Sequence, residues 1–146
     1  MEIKKATHSD AYALSCVHNA CFPEIWSEND FIKHMEESSI WSFFILRDNG
    51  GDAVGYLSSY IIIDEASIVN IAVLEKYRKN GYGSAILEKF IAYCKENGVS
   101  KVMLEVRESN IAAITLYKKY GFSEVGKSVN HYSCPTENAI LMNRLL

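Results

Sequence analysis

Several common sequence signatures are missing from this chain, and each absence excludes a class of protein. No apolar run approaches the ~20 residues that a membrane-spanning helix needs. The first residues become polar again by Thr7, so the start lacks the apolar region of a signal peptide. The four cysteines form no CxxC pair and have no metal-finger spacing. We therefore expect a cytoplasmic protein with reduced thiols, no metal and no membrane partner.

The charge balance excludes a further class. A formal net charge of −3 at pH 7 argues against a general nucleic-acid binder, so we expect no direct contact with nucleic acid. Four basic residues nevertheless lie close together in the sequence, and they permit a local cationic site: Lys76, Arg78, Lys79 and Lys89. The length of 146 residues and the 49% share of hydrophobic residues predict one globular domain over residues 1–146.

The cysteines and histidines offer little chemistry by their spacing. Cys16 and Cys94 lie on apolar helical faces, so both are predicted to be buried thiols. His131 and Cys134 could form a nucleophilic pair, but strand residues share a face at a spacing of two and these lie three apart. The single histidines are interpreted as surface or helix residues and not as ligands: His8, His18 and His34.

A glycine loop between a predicted strand and a predicted helix is the most informative stretch. Residues 70–74 have the apolar character of a strand end, and residues 84–97 have a helical apolar stripe. A loop of this kind points unpaired backbone N–H groups and the positive end of the helix dipole at one place, which suits a pyrophosphate. Gly81 and Gly83 would let the backbone approach the phosphate oxygens, where a Cβ would prevent it.

Three kinds of phosphate-binding loop can be compared with this stretch. A Walker loop requires Gly-Lys-Ser/Thr, which the chain lacks. A dinucleotide fingerprint requires a third glycine where this chain has Ile86. The remaining pattern, Arg/Gln-x-x-Gly-x-Gly/Ala, is met by Arg78, Gly81 and Gly83. It resembles the acetyl-coenzyme A loop of the GNAT acetyltransferase superfamily, although a pair of glycines also occurs at ordinary helix starts.

A carboxylate in an apolar strand is the second signal. Glu105 lies among Val102, Leu104 and Val106, where a charge is costly unless it faces water or has a function. By strand alternation it shares a face with Arg107, so an ion pair with Arg107 on a solvated face is the alternative to a catalytic role.

A tyrosine in the following helix is the third signal. Tyr117 lies two helical turns after Asn110, so both side chains point the same way. The alternative to a catalytic role is a tyrosine that packs the helix on the sheet, and Tyr120 with Phe122 beyond it is the better candidate for that packing role.

Local patterns predict an α+β fold in the order β-α-α-β-β-β-α-β-α-β-β, with a mixed central sheet of about seven strands and about four flanking helices. Ser9 is predicted to cap the first helix, and Ser27 with Asp30 forms a capping box for the second. The predicted strands are residues 2–6, 41–47, 54–63, 66–74, 101–106, 125–132 and 139–145. The predicted helices are residues 9–20, 27–37, 84–97 and 110–120.

This order matches the GNAT topology over essentially the whole chain, and several segments together closely resemble the RimI group of GNAT enzymes, the ribosomal-protein-alanine N-acetyltransferases. The segments that carry this resemblance are residues 70–73, 78–84, 104–107, 110, 116–117, 130–132 and 139–142. The resemblance implies Glu105 as general base, Tyr117 as general acid and Asn110 as a coenzyme A contact. It also implies acetyl-CoA as co-substrate, held by a strand end and the glycine loop: Ile71, Ala72, Val73, Arg78, Lys79, Asn80, Gly81, Tyr82, Gly83 and Ser84.

Two departures from the family pattern lie on the acceptor side. Residues 22–27 read Phe-Pro-Glu-Ile-Trp-Ser, which places Glu24 and Ile25 as additions within the usual Phe-Pro-Trp-Ser. The usual Tyr-Tyr pair near the end is His131-Tyr132. Both departures bear on the identity of the acceptor and leave the expected reaction unchanged.

Proton affinities favour one class of acceptor. A carboxylate with an ordinary pKa of ~4.3 is poorly matched to a lysine amine at ~10.4 and better matched to an α-amine at ~7.7–8.0. We therefore expect the acceptor to be a protein N-terminus, of a small-subunit ribosomal protein by the resemblance. The alternatives are a GNAT enzyme acting on lysine, a polyamine or another small amine, and an acyl-CoA sensor without turnover, which would not need both Glu105 and Tyr117.

Overall fold

The computed structural model describes residues 1–146 as a mixed sheet with helices on both faces. The strands are β1 (Glu2–Lys5), β2 (Trp41–Arg47), β3 (Ala53–Ile62), β4 (Glu65–Val73), β5 (Lys101–Arg107), β6 (Ser123–Tyr132) and β7 (Glu137–Leu145). The α-helices are α1 (Ala11–Cys21), α2 (Glu28–Glu37), α3 (Tyr82–Glu96) and α4 (Ile111–Lys119). The predicted fold class and element order are confirmed.

The strands form one sheet in the order β1-β2-β3-β4-β5-β7-β6. Neighbours are antiparallel except β4 and β5, which run parallel and pair only over residues 65–68 and 101–104. Beyond these residues β4 stays with β3 and β5 stays with β7. A wedge-shaped opening therefore separates the carboxyl ends of the two central strands.

Apolar side chains on the two faces of the sheet form two separate cores. The larger core joins α3 and α4 to the sheet and contains Phe90, Leu104 and Val106. The smaller core joins α1 and α2 to β2, β3 and β4 and contains Phe31 and Tyr56. No residue of β5, β6 or β7 belongs to the smaller core, so this side of those strands is not covered by a helix.

Side-chain hydrogen bonds mark the start of α2 and of the 3₁₀ turn that precedes α1. The Ser27 hydroxyl accepts a hydrogen bond from the Asp30 N–H at 3.1 Å, and the Asp30 carboxylate accepts one from the Ser27 N–H at 2.8 Å. The predicted capping box is confirmed. The predicted Ser9 cap is wrong, because the Asp10 carboxylate accepts a hydrogen bond from the Thr7 N–H at 2.9 Å and a 3₁₀ turn at His8–Asp10 precedes α1.

The two cysteines that were predicted to be buried differ in their exposure to solvent. Cys94 is buried in the larger core, whereas Cys16 is exposed. The difference arises because α1 faces the sheet with Leu14, Val17 and His18, and Cys16 lies on the opposite side of that helix. A separate finding is that no helix in the structure combines the length and the apolar character that crossing a membrane requires.

Replacing Ser27 with alanine tests the cap of α2. The variant loses the hydroxyl that accepts from the Asp30 N–H, so we expect the free energy of unfolding to fall by about 1 kcal/mol, measured by urea denaturation. Ser123→Ala is the matched control, since Ser123 is exposed and its hydroxyl makes no hydrogen bond within the protein. Equal stabilities of the two variants would contradict a capping role.

Candidate active site

A cleft of about 630 Å³ lies over the part of the sheet that no helix covers. Its lining is mostly apolar and comes largely from β4, β5, β6 and β7, including Val69, Leu141 and Met103. The polar residues of this lining include Glu105, which carries a carboxylate, and Tyr132, which carries a phenol. The cleft is thus an apolar groove with a carboxylate and a phenol on its wall.

A β-bulge shapes β4 at the edge of the cleft. Ser58 pairs with Asn70 and Ser59 pairs with Ile68, so Val69 has no partner on β3. An unpaired extra residue bends a strand and increases its twist. The bulge lies where the pairing of β4 with β5 ends, and it accounts for the parting of the two strands.

The end of β4 presents backbone groups to the opening. The Leu74 N–H donates to the Val54 carbonyl of β3 at 2.9 Å. Since alternate residues in a strand direct their backbone groups to the same side, the groups of Ile71 and Val73 point away from β3. No strand pairs with that side of β4 beyond residue 68. Ala72, between them, is buried in the smaller core.

The glycine loop after β4 carries backbone N–H groups without acceptors. The amides of residues 79–84 donate no hydrogen bond within the protein, and the first to do so is that of Ala85, to the Gly81 carbonyl at 3.0 Å. Gly81 has φ +81°, a left-handed conformation that favours glycine. A Cβ at Gly81 would meet nothing within 4 Å, and one at Gly83 would meet only Leu116 at 3.8 Å. These glycines therefore keep space open in front of the amides.

Two polar side chains brace the loop. The Arg78 Nε donates to the Val73 carbonyl at 2.8 Å, which ties the loop to the end of β4. The Asn80 side-chain amide donates to the carbonyls of Tyr77 at 3.1 Å and Arg78 at 3.0 Å. The other predicted contacts of the loop carry exposed or half-buried side chains: Lys79, Tyr82 and Ser84.

Glu105 extends from β5 on the cleft side, and its strand neighbours on either side are buried. The alternative pairing with Arg107 is wrong, because Arg107 pairs with Glu137 at 3.1 Å. The Glu105 Oε2 instead lies 2.7 Å from the Nε2 of His131. Sequence reasoning noted His131 only as a departure from Tyr-Tyr and as a neighbour of Cys134, and it missed this contact, which no spacing rule predicts.

Tyr117 lies deeper than its sequence position suggested. It is 9% exposed and its ring packs against that of Phe122, with centroids 5.7 Å apart. Tyr120 is less buried, so the expectation that Tyr120 takes the packing position is wrong. The Tyr117 hydroxyl makes no hydrogen bond within the protein. Burial, with a smaller effect from Tyr132, raises the pKa of Tyr117 to about 12, so the phenol keeps its proton at neutral pH.

Two further residues belong to the candidate site: Asn110, which was predicted from the sequence, and Tyr132, which lines the cleft. Asn110 caps α4, because its Oδ1 accepts from the Ala113 N–H at 3.2 Å, and its side-chain NH₂ is left without an acceptor. Burial and then the charge of Glu105 raise the pKa of Tyr132. Tyr132 is thus close enough to Glu105 for the carboxylate charge to raise the pKa of Tyr132, and close enough to Tyr117 to raise the pKa of that phenol.

Buried His18 ties the segment between α1 and α2 to the sheet. Its Nε2 lies 2.9 Å from the Glu24 carbonyl and its Nδ1 2.6 Å from the Tyr56 hydroxyl. A carbonyl only accepts, so Nε2 carries the proton and Nδ1 accepts from Tyr56. The Asn70 amide donates to the same hydroxyl at 3.4 Å. The interpretation of His18 as an ordinary surface or helix residue missed this role, and burial lowers its pKa.

Several known proteins are similar to this chain over most of its length. The profile of the Acetyltransferase (GNAT) family matches residues 11–122. The ribosomal protein bS18-alanine N-acetyltransferase of Escherichia coli K12 is 40% identical over 121 residues, which cover 80% of this chain and 78% of that protein. The N-alpha-acetyltransferase of Sulfolobus acidocaldarius is 34% identical over an alignment of 154 residues, covering 97% and 90%. The crystal structure of the E. coli ribosomal-protein-S18-alanine N-acetyltransferase has a TM-score of 0.87 at 32% identity, covering 99% and 92%.

Replacing Gly83 with valine tests the glycine loop as a pyrophosphate site. The variant should fold, because a Cβ there meets only one side chain at ordinary contact distance. Its branched side chain would occupy space in front of the loop amides, so we expect the affinity for acetyl-CoA to fall by about tenfold or more, or about 1.4 kcal/mol, measured by calorimetry. Glu96→Val, at the exposed far end of α3, is the control that should bind normally. Unchanged affinity in folded Gly83→Val would rule the loop out.

Proposed function

The chain belongs to the GNAT acetyltransferase family, and on this premise we propose that it transfers the acetyl group of acetyl-CoA to the N-terminal α-amine of a protein. The observation that carries the proposal is an accessible carboxylate, Glu105, which shares the cleft with Tyr132, and Tyr132 is in turn close enough to the buried Tyr117 to raise the pKa of that phenol. The names of the relatives support an N-terminal alanine of a small-subunit ribosomal protein, of the bS18 kind, as the acceptor.

Acetyl-CoA fits the backbone groups along β4 and its loop. The free amides of residues 79–84 and the N-terminal end of α3 suit the negative charge of a pyrophosphate. The outward backbone groups of Ile71 and Val73 suit the amides of a pantetheine arm, and the free side-chain NH₂ of Asn110 suits a further polar contact. When bound, this co-substrate supplies the activated acetyl group.

Glu105 removes the proton from the acceptor amine in this proposal. An α-amine has a pKa of ~7.7–8.0 and a lysine amine has a pKa of ~10.4. Because the two pKa values differ by about 2.5 units, a carboxylate base removes the proton of the α-amine at a cost that is about 3.4 kcal/mol lower. Because the cleft around Glu105 is largely apolar, the entering amine also leaves part of its hydration behind, which favours its neutral form.

Tyr117 supplies the proton that the departing thiolate needs. Its pKa of about 12 keeps the phenol protonated over the whole physiological range, and its hydroxyl has no partner within the protein that would compete. The N–H of Ile71 or Val73 can donate to the acetyl carbonyl oxygen as negative charge develops there. The base and the acid thus come from different elements, β5 and α4.

Removing the Tyr117 hydroxyl should slow the reaction and leave the fold intact. We expect Tyr117→Phe to lower kcat by roughly 10²-fold, the lower end of the usual effect of a positioned acid or base. The melting temperature should change little, since the hydroxyl makes no hydrogen bond within the protein. Tyr120→Phe is the matched control on the same stretch of chain and should keep its rate. A Tyr117→Phe variant with normal kcat and a lower melting temperature would make Tyr117 a packing residue.

An acceptor screen tests the proposed reaction itself. Release of free thiol from acetyl-CoA is measured with an alanine-starting ribosomal peptide, with the same peptide blocked at its N-terminus but carrying lysine, and with spermidine. We expect turnover with the free α-amine alone, and mass spectrometry should place the acetyl group on the first residue. Acetylation of the blocked peptide or of spermidine would contradict the proposed acceptor.

Glu105→Gln is the control that connects this turnover to the cleft. It should lose turnover on the alanine peptide and bind acetyl-CoA normally, because the proposal gives Glu105 no contact with the co-substrate. The loss should shrink between pH 7 and pH 9, where more of the amine is neutral without help. Glu124→Gln, an exposed residue that pairs with Lys118 away from the cleft, should behave as the unchanged protein.

A further inference from the structure

His131 forms a hydrogen-bonded chain with Glu105 on one side and Ser128 on the other. The ring Nε2 lies 2.7 Å from the Glu105 Oε2, and the ring Nδ1 lies 3.2 Å from the Ser128 Oγ. A carboxylate only accepts, so Nε2 carries a proton and, in the neutral ring, Nδ1 accepts from the Ser128 hydroxyl. The side chains of Glu105 and His131 are 52% and 33% exposed, so solvent and an entering acceptor can both reach the pair.

An irregularity in β6 brings His131 to this position. Ser128 and Tyr132 are paired with β7, whereas residues 129–131 between them face only Asn138. Asn130 adopts φ +54°, and its N–H donates to the Asn138 Oδ1 at 2.9 Å. The bulge is therefore held by a specific side chain, in a backbone conformation that few residues adopt.

The bulge has a direct consequence for the direction of the imidazole. In a regular strand, adjacent residues such as His131 and Tyr132 point to opposite faces. Here the His131 ring contacts Glu105, while Tyr132 lines the same cleft as Glu105, and the two rings lie 4.8 Å apart, edge to face. Bulges next to active sites commonly re-aim a side chain in this way. The distortion of β6 serves to bring a histidine to the carboxylate.

We propose that His131 is a positioning residue for Glu105: its Nε2–H holds one carboxylate oxygen, which leaves the other oxygen free to take the proton of the acceptor amine. This inference rests on the proposed function, in which Glu105 is the base.

The other charged groups around the ring are already paired with one another. Arg107 of β5 lies 4.5 Å from the centre of the Tyr132 ring, and it also pairs with Glu137 of β7 at 3.1 Å. The neighbouring Lys127 of β6 is engaged with Glu108 at 2.7 Å. Glu105 is thus the carboxylate that the imidazole contacts.

Two substitutions of His131 separate positioning from mere packing. His131→Phe removes the donor, so we expect kcat to fall about tenfold at pH 8, less than loss of the base itself, with unchanged affinity for acetyl-CoA. His131→Gln is the rescuing variant, because its amide can donate to Glu105 and cannot become a cation. It should recover most of the loss at pH 8.

The kinetic test has one control and two contradicting outcomes. His8→Gln, an exposed histidine beside Glu36, should reproduce the unchanged protein at every pH. A His131→Phe variant with normal kcat would overturn the proposal. A His131→Gln variant that is as slow as His131→Phe would also overturn it, because the ring would then not act as a replaceable donor.

A spectroscopic readout tests the contact without any acceptor. Long-range ¹H–¹⁵N spectra distinguish the tautomers of a histidine ring, and His131 should be in the Nε2–H form at pH 8. Glu105→Ala should lower the population of that tautomer, and a ring with no tautomer preference in the unchanged protein would overturn the proposal. If the enzyme acetylates the alanine peptide while the His131 variants match it, the proposed function stands and this inference fails. If it acetylates only spermidine, the proposed acceptor fails, and the same variants assayed with spermidine still decide the role of His131.

Discussion

The parting of β4 and β5 is the constraint on which the rest of the site depends. Two parallel strands that remained paired to their ends would satisfy each other's backbone groups and leave no opening. Here the pairing ends at residues 68 and 104, next to a bulge at Val69. Backbone groups of β4 are then left without a strand partner. Such groups are met by a side chain, as Arg78 meets the Val73 carbonyl, or by water or a ligand. The glycine loop continues this row of free N–H groups into the first turn of α3.

The proposed acid and the proposed base occupy different environments, and this difference matters to the chemistry proposed for them. Tyr117 is packed in the larger core, where burial keeps its proton bound. Glu105 lies on the opposite face of the sheet, half-exposed and accessible to an entering amine. A phenol that holds its proton and a carboxylate that has lost its own are the starting states that proton transfer in this direction requires. The sheet therefore separates the two residues to which we assign these roles.

Two less regular segments lie where the family resemblance places the acceptor. The loop that contains the additional Glu24 and Ile25 is attached to the sheet through His18. The His18 ring contacts the Glu24 carbonyl and the Tyr56 hydroxyl, and Tyr56 is also bonded to the bulged part of β4, so a buried hydrogen-bond network holds the loop. On the other side of the cleft, the distorted part of β6 carries His131 and Tyr132. The two departures from the family pattern therefore have structural anchors on either side of the groove.

The sequence by itself determined the fold class, the order of the elements, the glycine loop and the side of β5 on which Glu105 lies. These features follow from local rules: apolar periodicity, a left-handed glycine at Gly81, and the alternation of side chains along a strand. The tertiary structure alone decided that Glu105 meets His131 and not Arg107, that Tyr117 lies deeper than Tyr120, and that His18 is buried. Each of these depends on where a distant segment bends or packs. A bulge of a few residues changes the direction of a side chain without leaving a periodic signal in the sequence.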